Sequence, residues 1–137
     1  MLAVEDALDG LVWAEEIGGL SALIERTNAN MAAITTWVEN SENFGFLVEE
    51  EIYRSPTSVC LTITASWLIG LSIEEQMATA NQLVTLLDNE GVAYDIGSYR
   101  DAPPGRRIWA GATVETCDLE ALFPWLEWAL DQLQMHP

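Results

Sequence analysis

The stretch "VAYDIGSYRDAPPGRRIWAGATV", Val92 to Val114, decides how the chain folds on paper. Its ends, Val92 to Ile96 and Arg107 to Val114, are apolar or β-branched and predict two strands. Between them Pro103-Pro104-Gly105 stiffens and turns the backbone, because proline fixes φ and glycine admits turn conformations. The same stretch collects Arg100, Arg106 and Arg107 in a chain with five basic residues, none of them lysine, against 22 acidic ones.

Working upstream, Ser72 and Glu75 form a capping box ahead of a helix from Ile73 to Asn89, whose apolar face is Met77, Ala80, Leu83, Val84 and Leu87. Gly91 closes it. Before that helix, "NFGFLVEEE" and "TSVCLTIT" read as strands joined by the loop around Arg54-Ser55-Pro56. Two helical stripes come first. Val4, Ala7, Leu8, Leu11, Val12 and Ala14 run to Ile17 and stop at Gly18-Gly19. Leu20, Leu23, Ile24, Met31, Ile34, Trp37 and Val38 run on to Asn40, with Ser21 as the N-cap. Downstream, Leu119, Leu122, Leu126, Leu130 and Leu133 mark a last helix, from Asp118 to about Leu133. Pro124 within it lacks an amide hydrogen, so the helix either kinks there or restarts at Phe123. The sum is an α+β, two-layer sandwich, a small and mainly antiparallel sheet with helices on one face, in a single domain over 1–137.

Composition narrows the function. A formal charge of −17 repels nucleic-acid backbones and anionic membrane surfaces, so neither is expected as a partner. The acidity itself reads as a solvated surface or a salt-rich habitat before it reads as docking to a basic partner. The first residues lack the basic segment of a signal peptide, and no apolar run reaches the roughly 20 residues of a membrane span, so a cytoplasmic location is expected. Cys60 and Cys117 are read as reduced, partly buried small hydrophobes.

The absence of lysine excludes a Schiff base with pyridoxal phosphate within this chain. His136, the one histidine, stands beside the terminus. With two separated cysteines it forms neither a nucleophile–base pair nor a soft-metal cluster, so no catalytic, cofactor or metal residues are expected. Adjacent carboxylates such as Glu49-Glu50-Glu51 diverge from one another and read as solvated faces. Arg100 and Arg107, at the two ends of the stiffened loop, suit a carboxylate or phosphate anion, because guanidinium presents a planar fork of donors. Equally, in so acidic a chain each could pair with a neighbouring Asp or Glu.

A resemblance weighs on that choice. "VEDALDGLVWAEEIGGLSALIERTNANMAAITTWVENS", "RSPTSVCLTI" and "EGVAYDIGSYRDAPPGRRIWAGATVETCDLEALFPWLEWAL" resemble the C-terminal, small domain of the phosphoserine aminotransferases, within the class V pyridoxal-phosphate enzymes. The resemblance covers roughly Val4 to Leu130. It implies a small α/β unit packed in its relatives against a large domain that carries cofactor and lysine. It assigns Arg107 to the substrate's carboxylate and Arg100 to the neighbourhood of its phosphate. Arg106 departs from the pattern, standing where an apolar residue is expected.

The large domain is expected to be absent, with Met1 falling inside or just before the connecting helix, so that pyridoxal phosphate (PLP) would require a partner chain. Three readings follow: a non-catalytic module working as a homo-oligomer (dimer), or binding a partner protein or a small anion; the carboxylate-binding half of a split phosphoserine:2-oxoglutarate aminotransferase; and, by analogy of fold alone, an amino-acid sensor. The first is favoured. Of the six tryptophans, most are expected in the core, with Trp13 and Trp109 at an interface.

Overall fold

Alternation along "SVCLTI" does what a period of two demands: Val59, Leu61 and Ile63 are buried, while Ser58, Cys60 and Thr62 stay partly open. In the computed structural model, which describes residues 2–99 and 102–135, this strand is the centre of the sheet. The helices are α1 (Leu2–Glu16), α2 (Gly19–Asn40), a single turn α3 (Ser66–Ile69), α4 (Ile73–Asn89) and α5 (Thr116–Met135). The strands are β1 (Phe44–Phe46), β2 (Ser58–Ile63) and β3 (Gly105–Trp109), in the order β1-β2-β3 and antiparallel throughout.

Register fixes which side chains share a face. Phe44 lies opposite Ile63, Leu61 opposite Arg106 and Val59 opposite Ile108, so these six point towards the helices. Ile34 and Val38 of α2, Leu83 and Leu87 of α4, and Leu126 and Leu130 of α5 complete the core. α2 packs on β1, α4 packs on β3, and α5 packs on both α2 and α4. This is the expected α+β arrangement. The capping box at Ser72 and Glu75 also forms as expected.

Several expectations are corrected. Val92 to Ile96 is not a strand: Asp95 takes a left-handed φ of 52°, which breaks extension. The segment is tied to β3 instead by one bridge, Gly97 to Arg106, and by the Arg107 amide donating to the Ile96 carbonyl at 3.1 Å. β3 ends at Trp109 rather than Val114 because buried Asn30 of α2 gathers in the next turn. Its amide donates to the carbonyls of Ala110, Gly111 and Val114 at 3.2, 3.2 and 3.0 Å, and its oxygen accepts from the Thr116 hydroxyl at 2.7 Å. β1 stops at Phe46, beyond which Arg54 donates to the Val48 and Glu49 carbonyls at 2.9 and 2.7 Å. α2 begins at Gly19 behind Gly18, whose φ of 116° suits glycine, so Ser21 is not the cap.

Pro124 lies inside α5 without interrupting it. The Glu120 carbonyl that loses its amide partner there belongs to an exposed residue that water reaches. None of the six tryptophans is fully buried. Trp37 stacks on Phe123 with ring centres 4.6 Å apart, and Trp125 meets Trp128 edge-on at 5.3 Å. Cys117 is exposed rather than partly buried, while Cys60 is half-buried. Among the described residues no helix is long and apolar enough to cross a membrane, and no group of His, Cys, Asp and Glu is placed to hold a metal.

Candidate functional site

Two consecutive arginines on β3 meet opposite environments. Arg106 turns inward and is 2% exposed. Its Nη1 donates to the Gly105 carbonyl at 2.6 Å and its Nη2 to the Ala80 carbonyl of α4. Its Nε, also buried, has no partner among the described residues. Burial lowers its pKa to about 10, so at neutral pH it carries its charge in an apolar layer between Leu61 and Ile108. The apolar residue expected at this position matches the place where the side chain sits.

Arg107 turns to the outer face of the sheet, opposite Cys60. Nη2 donates to the Asp95 carboxylate at 2.9 Å and to the Asp95 carbonyl at 3.3 Å. The guanidinium lies 5.0 Å from the centre of the Tyr99 ring, within cation–π range. The Tyr99 hydroxyl is in turn 3.2 Å from Ser58 Oγ on β2. Strand, ring and carboxylate together hold the fork in one orientation. Beside it opens a cavity of about 300 Å³, lined among others by Asp95, Ile96, Trp109, Asp118 and Leu122.

Of the two readings left open by the sequence, the structure shows the pairing of Arg107 with a neighbouring carboxylate. Asp95 is 91% exposed at its side chain and Arg107 21%, and an ion pair so hydrated contributes about 0–1 kcal/mol. The pair therefore orients Arg107 without adding much to stability. Arg100, expected at the other end of the loop, lies outside the described residues, as does His136.

Sequence reading missed Asp95, Tyr99 and Ser58 as the supports of Arg107. It also missed Asn30, which holds the turn following β3. Tyr99 was legible as the residue beside Arg100 in the quoted stretch. Asp95 was hidden by its place within an apparent strand.

No family model matches the chain. It is 50% identical over 131 residues, 96% of its length, to the phosphoserine aminotransferase of Methanosarcina mazei. Over 129 residues it is 49% identical to that of Methanosarcina barkeri.

The chain resembles the C-terminal domain of phosphoserine aminotransferase.

It spans about a third of those relatives, 33% and 32% of their respective lengths. The phosphoserine aminotransferase from Bacillus circulans subsp. alkalophilus superposes with a TM-score of 0.68 over 88% of this chain and 30% of its own, at 21% identity. A phosphoserine aminotransferase solved to follow radiation damage of its Schiff base superposes with a TM-score of 0.67 at 16% identity. These two likenesses show the fold.

A Schiff base to pyridoxal phosphate needs a side-chain amine. All five basic residues of this chain are arginines, Arg26, Arg54, Arg100, Arg106 and Arg107. The residues present therefore do not fit that anchor.

Proposed function

We propose that this chain is a carboxylate-recognition module of the phosphoserine aminotransferase type. Arg107 receives the carboxylate of an amino-acid substrate, and the cofactor with its lysine is supplied by polypeptide outside this sequence. By itself the module binds and does not turn over. The observation that supports this best is the fork of Arg107, held by Asp95 and Tyr99 on the outer face of the sheet beside an open cavity.

The chain's own contribution is orientation. A planar guanidinium fixed from two sides accepts a carboxylate in one plane, which is how a binding group aims a substrate without taking part in bond breaking. The phosphate end of phosphoserine is assigned to Arg100 by resemblance alone.

Calorimetry with phosphoserine, and transamination assays after mixing with a lysine-bearing aminotransferase chain that lacks this region, test the reading. We expect binding that Arg107→Ala abolishes and Arg107→Lys weakens, and turnover in the mixture only. Equal binding by Arg107→Ala, or neither binding nor turnover in any arm, would overturn it.

A further inference from the structure

A guanidinium fork grips a phosphate as readily as a carboxylate, so Arg107 by itself does not tell the two ends of phosphoserine apart. The groups that share its cavity do. Of the described residues that line it, three are charged: Arg107 itself, Asp95 and Asp118. One cation against two carboxylates leaves the cavity formally anionic. Asp95 is paired with Arg107 at 2.9 Å, so the uncompensated charge is that of Asp118, which makes no ion pair among the described residues.

Asp118 is held where it stands. It falls in the first turn of α5, where the helix dipole favours a carboxylate, and its amide donates to the Glu115 carbonyl at 3.1 Å. That helix end is already matched by the chain's own anion and pulls little on a second one. A cavity of about 300 Å³ is roughly 8 Å across, so a group bound to Arg107 lies within a Debye length of Asp118, about 8 Å at physiological ionic strength. The phosphate of phosphoserine carries a charge of about −1.5 to −2 at neutral pH, whereas its carboxylate carries a single charge with an ammonium beside it. Repulsion by Asp118 therefore falls harder on the phosphate, and the ammonium is attracted.

We propose that Asp118 determines which end of an amino-acid ligand Arg107 receives, turning away a phosphate dianion and favouring a carboxylate with an ammonium beside it. The fork supplies affinity, and the neighbouring like charge supplies the choice. The selection rests on Arg107 acting as an anion site, and it gives the phosphate an electrostatic reason to lie elsewhere.

The Arg107 Nε–Hε resonance of the full chain reads binding at that side chain as acetate, glycine and inorganic phosphate are titrated in turn at mildly alkaline pH and low salt. We expect glycine to bind more tightly than acetate, which lacks the ammonium. Asp118→Asn should remove that preference and improve phosphate relative to glycine by about threefold or more, the effect of one like charge roughly 8 Å away, and the gain should shrink as salt rises. Glu74→Gln removes the same charge at the start of α4, outside the cavity, and should leave both ratios as they were. Both side chains are exposed and both substitutions keep the shape of the side chain, so the fold is retained. Acetate binding as tightly as glycine, unchanged ratios in Asp118→Asn, or an equal change in Glu74→Gln would overturn the proposal while Arg107 still binds anions. A resonance that no probe moves would overturn the carboxylate reading of Arg107, and this selection with it.

Discussion

The two faces of the sheet carry adjacent arginines to different ends. On the inner face Arg106 is sealed among apolar side chains, with two carbonyls and, among the described residues, no carboxylate for company. On the outer face Arg107 is braced by an exposed carboxylate and an aromatic ring. Nothing in residue type separates them. Strand period alone decides, since a shift of one position exchanges the faces. Charge on the inner face is a burden on stability, and the same charge on the outer face is paired where water reaches it and costs little.

The register that keeps the two apart rests on Gly105. A Cβ there would overlap the Leu61 carbonyl oxygen of β2. Gly105→Ala should therefore force β3 away from β2, cost more than about 3 kcal/mol and disturb both arginines at once. Chemical denaturation and amide exchange along β2 would check this; an unchanged midpoint would break the comparison at its root.

Next in size is Arg106→Met. Desolvation acts against the guanidinium throughout the range below its lowered pKa of about 10, which includes neutral pH. Replacing buried charge with an apolar side chain of similar length should be neutral or stabilising, by up to about 4 kcal/mol. Thermal melting at pH 7 reads it, and clear destabilisation would show that the Ala80 and Gly105 carbonyls need the arginine. Asparagine 30 offers a contrast, being polar, buried and fully paired. Asn30→Leu should cost about 2–3 kcal/mol by stranding the carbonyls it holds, and should loosen the turn after Trp109.

How much of this was readable beforehand follows from what each signal reports. Apolar periodicity located α1, α2, α4 and α5 and the central strand, because burial over many residues writes a pattern. It misplaced the ends of β1 and β3, where single polar side chains, Arg54 and Asn30, take carbonyls that a ladder would otherwise use. It made Val92 to Ile96 a strand because nothing local announces the left-handed turn at Asp95. For the site, the clustering of Arg106 and Arg107 was plain, but which of them faces outward depends on register with β2, a relation across more than 40 residues of intervening chain. The tryptophans misled in the other direction, since a ring so large is rarely buried whole.

Arg107→Ala should move stability by less than about 1 kcal/mol, as expected for an exposed ion pair, while removing anion binding. Equal loss of folding and binding would mean that the outer arginine is structural too. The smallest effect lies on the solvent side of α4, the helix that covers the inner face. The Glu75 carboxylate accepts from the Ser72 amide at 2.9 Å and from its hydroxyl at 2.8 Å, and these bonds hold its pKa below the usual 4.5. A carboxylate with a depressed folded pKa stabilises above its unfolded value and loses that contribution as pH falls through the folded one. Glu75→Gln should therefore lower stability slightly at neutral pH, where the carboxylate is ionised, and flatten the acid limb of the profile below pH 4.5, where the two proteins converge.

The side-chain Nε–Hε resonances of uniformly labelled protein, followed while phosphoserine is added, separate the two arginines directly. The Arg107 signal should move with ligand and the Arg106 signal should stay fixed and exchange slowly with solvent. Movement of Arg106, or a stationary Arg107 at saturating ligand, would contradict the division of labour between the faces.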